Sequence, residues 1–169
     1  MLEAAGAAFA ARGFHAASMD QIAAASGISK PMLYNYFDSK EGLYAAYVER
    51  SGQALLESMR HAAPRDAPVE ERLSAGVLAF LGYVDEHRPG WSVLYNEAAT
   101  QGGPVAAKVA GMRTRIAEML AQIFDSDVFA HAFVGAGESL ANWWLSHPDE
   151  PKEAIADQLM AIARISPRV

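Results

Sequence analysis

The chain has 169 residues and a formal net charge of −6, a length that suits one compact unit, or a small module joined to a larger one, without covalent staples. It contains no cysteine, which excludes disulfides, thiolate zinc sites, iron–sulfur clusters and thiol nucleophiles. The acidic balance argues against coating nucleic acid through charge alone, so any DNA contact must be local.

The opening MLEAAGAAFAARGF shows no basic leader, and the longest strongly apolar run, Val77 to Val84, is far short of the roughly 20 residues a membrane span requires. The expectation is a cytoplasmic protein without a membrane partner. No run alternates as strands do, whereas alanine, leucine and methionine recur at helical spacing, so the predicted class is all-α with about nine helices.

In chain order, Leu2, Ala5 and Phe9 share one helical face, and Gly13-Phe14 ends that helix and returns an aromatic toward the core. Ser18-Met19-Asp20-Gln21 has the form of a capping box, opening a second helix whose buried face continues through Ile22 and Ala25. Ala24-Ala25-Ser26-Gly27-Ile28-Ser29 reads as a helix end at a left-handed glycine, an apolar plug and a new N-cap. Two short helices joined by such a turn make a helix-turn-helix.

On a helix starting at Lys30, Leu33 and Phe37 point inward with Ile28, leaving Lys30, Pro31, Met32, Tyr34, Asn35 and Tyr36 outward. Tyrosines, an asparagine, a lysine and a proline can supply phosphate hydrogen bonds, a base-edge amide and apolar contact with thymine methyls. Lys40 falls in the first turn of the next helix, N-capped by Ser39, where backbone N–H groups and a lysine can clamp a phosphate.

At this point the string GFHAASMDQIAAASGISKPMLYNYFDSKEGLYAAY resembles the DNA-binding signature of the tetracycline-repressor (TetR) family. The resemblance covers residues 1 to about 48 and rests on positions including Gly13, Phe14, Ser18, Gly27, Ser29, Lys30, Tyr34, Tyr36, Phe37 and Lys40. It implies a dimeric repressor on a palindromic operator, released by a small molecule. It also implies that Lys30, Pro31, Tyr34 and Asn35 approach bases, while Ser18, Met32, Tyr36 and Lys40 lie near the phosphate backbone. Ser29 joins that candidate set as the cap of the reading helix. Met32 departs from the commoner small hydroxyl residue, which favours apolar base contact there.

Charge runs against this reading. Residues 1 to 50 carry Arg12, Lys30, Lys40 and Arg50 against Glu3, Asp20, Asp38, Glu41 and Glu49, one net negative charge. Family members often carry a basic arm before the first helix; the expectation here is either an arm upstream or binding with few ionic contacts and a shallow salt dependence.

The organisation expected is a DNA-binding domain over 1–48, from which a connecting helix runs over 39–62, and a ligand-binding and dimerisation domain over 49–169. Within the latter, a helix from Pro68 to His87 buries Leu73, Val77, Phe80, Leu81 and Val84. Aromatics and methionines converging between helices are how ligand pockets are lined. Candidates are Phe80, Tyr83, Trp91, Tyr95, Met112, Ile116, Met119, Phe133 and Trp143, with Glu97, Glu138 and Asn142 to orient a ligand. Ordinary core packing is the alternative for each apolar residue, and capping or interhelical hydrogen bonding for each polar one. In the last two helices, small residues permit close approach while Trp144, Leu145, Leu159, Met160 and Ile162 offer apolar contact, which suggests a homodimer through both. The five histidines are scattered and no phosphate loop or nucleophile elbow occurs, so no enzyme, cofactor or metal is expected. A regulator with a filled core, controlled by a protein partner, is the other reading.

Overall fold

The computed structural model describes residues 1–62, 64–92 and 103–166; Tyr95 and Glu97 lie outside them. Among the described residues there are nine helices and no strand: α1 Leu2–Ala16, α2 Met19–Ala25, α3 Lys30–Phe37, α4 Lys40–His61, α5 Val69–Glu86, α6 Arg88–Ser92, α7 Gly103–Phe124, α8 Asp127–Leu145 and α9 Lys152–Ala163. The proline positions follow the expected pattern. Pro68 and Pro151 precede α5 and α9, and Pro104 stands in the first turn of α7, where a missing N–H removes no helical bond.

The chain forms two compact units that do not follow a linear division: Met1–Gln53 with Arg88–Gly111, and Ala54–His87 with Met112–Val169. The first unit thus runs through α1–α3 and the first part of α4 and also takes in α6 and the start of α7. Its core gathers Phe9, Ile22, Leu33, Leu43, Tyr44 and Val48, all essentially inaccessible to solvent. Gly13 adopts φ 74°, ψ 166° and interrupts α1, a conformation open almost only to glycine. That break turns Phe14 inward, where its ring lies 5.1 Å from Tyr44 and 6.0 Å from Phe9. Tyr44 also meets Phe9 edge-on at 4.9 Å. Such aromatic pairs add about 0.5–1.5 kcal/mol beyond simple burial.

In the second unit α5 packs on α8 and α9, and α8 packs on α9. The α5 residues Leu73, Val77, Phe80, Leu81 and Val84 are buried, as their spacing requires. Ser126 caps α8 by accepting from the Phe129 N–H at 3.2 Å. Among the apolar residues of the last two helices, Trp144, Leu159 and Met160 turn out to be buried within the subunit. The Trp144 indole N–H donates to the Glu150 carbonyl at 2.8 Å. The apolar side chains left on the surface are instead Val128, Trp143 and Ile165, with Leu145 and Ile162 half-buried.

Candidate nucleic-acid interface

The turn between α2 and α3 has the expected chemistry. Gly27 sits at φ 68°, the Ile28 N–H donates to the Ala23 carbonyl at 3.1 Å and the Gly27 N–H to the Ala24 carbonyl at 3.1 Å. These are the two bonds of a Schellman ending, which satisfies the last carbonyls of α2 and needs a left-handed residue at that position. Ile28 then packs half-buried on the core. Ser29 accepts from the Met32 N–H at 3.4 Å and starts α3.

On α3, Leu33 is fully buried and Phe37 packs on the same core, while Lys30, Pro31, Met32, Tyr34, Asn35 and Tyr36 are all exposed. Tyr36 is 62% accessible, Met32 46% and Tyr34 38%. Three large, partly apolar side chains on one exposed face of an eight-residue helix keep apolar surface in water at a cost unless something covers them. Ser29 stands at the start of that face and Ser18 is half-exposed.

The capping box at Ser18 does not form: its side chain makes no cap bond. Gln21, which should reach back, instead accepts from the Arg12 guanidinium at 2.7 Å. Sequence spacing cannot reveal this, because Arg12 lies on a different helix.

The cations of the module are committed in the same way. Lys30 pairs with Asp20 at 2.9 Å, and that hydrogen bond, with the Asp20 charge, holds its ammonium above the usual lysine range. Arg50 pairs with Glu3 at 3.2 Å. The Lys40 ammonium donates to the His15 carbonyl at 2.9 Å and lies 4.9 Å above the Phe14 ring. Ser39 caps α4 by accepting from the Gly42 N–H at 2.9 Å. All four cations of residues 1–50 thus hold partners inside the module. These contacts lie at the surface, where solvent screens them, so a DNA phosphate can compete for them, but at the cost of the bond it replaces.

The effector candidates divide differently. Trp91 belongs to the first unit and is buried there. In the second unit Phe80, Tyr83, Met112, Ile116 and Phe133 are buried. Trp143 is 45% exposed and its ring stacks 3.9 Å from that of His147, so it does not point into the core. Glu138 accepts from Arg113 Nε at 2.7 Å, and Asn142 Nδ2 donates to the Glu138 carbonyl at 2.8 Å, the interhelical and local bonding that was the alternative for both. Phe124 meets Phe129 and Phe133 at 4.8 and 5.2 Å, which fills that part of the core.

What the structure opens instead is a cleft of about 340 Å³ formed by the end of α4, the following linker, α5, α7 and α8. Among the described candidates, Met119 and Phe133 alone reach it. Its other apolar wall includes Met59, Leu73, Val77, Leu120 and Ile123, and Arg60, Arg65 and Arg72 complete it. The arginines carried no distinguishing signal in the sequence, since each sits at a helix end or in a polar linker where a solvated cation is ordinary.

Comparison with known proteins agrees with this arrangement over nearly the whole chain. The family model described as bacterial regulatory proteins, tetR family, matches residues 1–47, and that of the tetracyclin repressor-like C-terminal domain matches residues 69–165. The HTH-type transcriptional activator FasR of Mycolicibacterium smegmatis is 31% identical over 160 residues, covering 89% of this chain and 73% of that protein. A TetR-like transcriptional regulator from Rhodococcus sp. RHA1 has a similar structure, with TM-score 0.81 and 38% identity over 96% of this chain and 90% of that one. A tetR-family regulator from Streptomyces coelicolor superposes with TM-score 0.83 and 28% identity, over 98% and 79%. With the reading helix exposed and both regions matched, the chain belongs to the TetR family of DNA-binding transcriptional regulators.

Proposed function

We propose that this regulator is a cytoplasmic homodimeric repressor that leaves a palindromic operator when a small molecule occupies its larger domain. The observation that carries the reading is the exposed α3 face, where Tyr34, Asn35 and Tyr36 stand free of the core beside Lys30 and Pro31. The Tyr36 hydroxyl, Ser18 and Lys40 reach phosphates; Tyr34 and Asn35 approach base edges, Pro31 and Met32 contact thymine methyls, and Lys30 exchanges Asp20 for DNA. The division into a reading domain over 1–48 and a sensing and dimerisation domain over 49–169 belongs to the same proposal. Dimerisation through α8 and α9 places two reading helices one helical turn of DNA apart, about 34–36 Å.

The long helix α4 supplies Leu43, Tyr44 and Val48 to the core of the first unit and Met59 and Arg60 to the cleft of the second. In this proposal ligand occupancy at its far end acts on the reading helices through α4. The M. smegmatis relative bears an activator's name, which favours activation as the second reading. Footprinting of the purified protein, coupled to a promoter reporter, separates the two. The expected result is a two-fold symmetric footprint that overlaps the promoter and raises reporter output when the regulator is deleted. A footprint upstream of the promoter, with output falling on deletion, replaces repression by activation.

A further inference from the structure

The cleft in the second unit combines two properties that ordinary cores and ordinary surfaces keep apart. Its wall is apolar, with Leu73, Val77 and Leu120 otherwise buried, and its rim holds three guanidiniums. Two other arginines of this unit have carboxylate partners: Arg113 holds Glu138 at 2.7 Å and Arg164 holds Glu70 at 2.8 Å, while Arg115 stands on the surface without such a pair among the described residues. Arg60, Arg65 and Arg72 make no such pair among the described residues. Glu70, two positions from Arg72, is turned to Arg164. Three like charges gathered on one cleft in an acidic protein repel one another, and an anion relieves that repulsion while accepting planar, paired hydrogen bonds.

We propose that this cleft binds an amphipathic anion, its aliphatic body against Leu73, Val77 and Leu120 and its carboxylate or phosphate head on Arg60, Arg65 and Arg72. The volume of about 340 Å³ lies at the small end of the range for organic ligands, which fits a single chain or ring system. A neutral aromatic effector leaves the three guanidiniums unanswered. The proposal rests on the reading of the larger domain as a sensor and specifies what it senses.

Gly76 provides a test that spares the arginines. It lines the cleft, and a Cβ placed on it meets nothing closer than the Met59 carbonyl at 4.0 Å. Gly76→Leu thus fills cleft space and replaces glycine inside α5 with a stronger helix former, so the fold should hold. Calorimetric titration of the DNA-free full chain with sodium decanoate, decyl phosphate and decanol compares two heads with none on one tail. At least one anion is expected to bind about tenfold or more tightly than decanol, in keeping with charge-assisted hydrogen bonds. Whichever anion binds more tightly identifies the head.

Arg60→Ala with Arg72→Ala should reduce that anion to the level of decanol. Gly76→Leu should weaken every bound probe at least tenfold with Tm not lowered. Decanol matching both anions, neither anion binding, or binding unchanged in Gly76→Leu overturns the proposal. Operator binding is measured in parallel without and with the anion. Loss of operator recognition by the unliganded protein removes the regulatory reading and leaves the cleft standing, as does an anion that binds without releasing DNA.

Discussion

Asp20 offers a direct test of the proposed DNA contact, because its carboxylate holds Lys30 of α3 at 2.9 Å. Asp20→Asn removes a negative charge beside the proposed reading face and frees an ammonium. Operator affinity at fixed salt is expected to rise several-fold, and the dependence of log K on log salt to steepen by up to about 0.9, the increment for one more neutralised phosphate. Higher affinity with an unchanged slope would place Lys30 on a base edge instead of a phosphate, and unchanged affinity would mean that it meets neither. Lys40 behaves differently. Its bond to the His15 carbonyl and its place over Phe14 make it part of the module's structure as well as a candidate phosphate contact. Lys40→Ala should therefore lower stability by about 1 kcal/mol, the net worth of a hydrogen bond, and weaken all DNA sequences alike. Thermal unfolding beside binding to specific and random duplexes separates the two effects; a stable variant that still binds both normally sinks both roles.

Between elements, Tyr47 on α4 is tightly enclosed, lying between Gly6 of α1 and Gly90 of α6. A Cβ on Gly6 would stand 2.3 Å from Tyr47 Cε2, and one on Gly90 would stand 2.4 Å from the Tyr47 hydroxyl but 3.7 Å from Cζ. Gly90→Ala is expected to destabilise by about 1–3 kcal/mol through overpacking, and to be tolerated once Tyr47→Phe removes the oxygen. A double-mutant cycle by chemical unfolding reads the coupling; additive losses would show that α4 and α6 do not meet through this side chain. Burial also raises the Tyr47 phenol above the usual tyrosine range, with a Ser51 hydrogen bond opposing. The raised folded value makes this contribution complete below about pH 10 and lost as pH climbs through the folded value. Tyr47→Phe should flatten that alkaline fall.

At the scale of the molecule, Val128 at 82%, Trp143 at 45% and Ile165 at 75% accessible leave apolar surface around the last two helices, as a subunit contact requires. Light scattering at micromolar concentration is expected to give a dimer, and Trp143→Arg with Ile165→Asp to raise its dissociation constant at least about tenfold without loss of helicity. A wild-type monomer refutes both the dimer and the paired half-sites that depend on it.

The helix-turn-helix was legible because its signals are local. Gly27 at φ 68°, the Ser29 cap and the inward spacing of Ile28, Leu33 and Phe37 each follow from residues within a few positions of one another, where the backbone has few choices. The helix count and the proline starts were legible for the same reason. What required tertiary structure were the pairings across elements. Arg12 takes Gln21 from Ser18, Arg113 takes Glu138, and Trp144 rather than Trp143 enters the core. Burial on a helix is decided by the partner surface as well as by period, and an ion pair by whichever charges folding brings within reach. The cleft belongs to that second class. Arg60, Arg65 and Arg72 come from a helix end, a linker and another helix, and only the folded chain gathers them against apolar side chains from α5, α7 and α8.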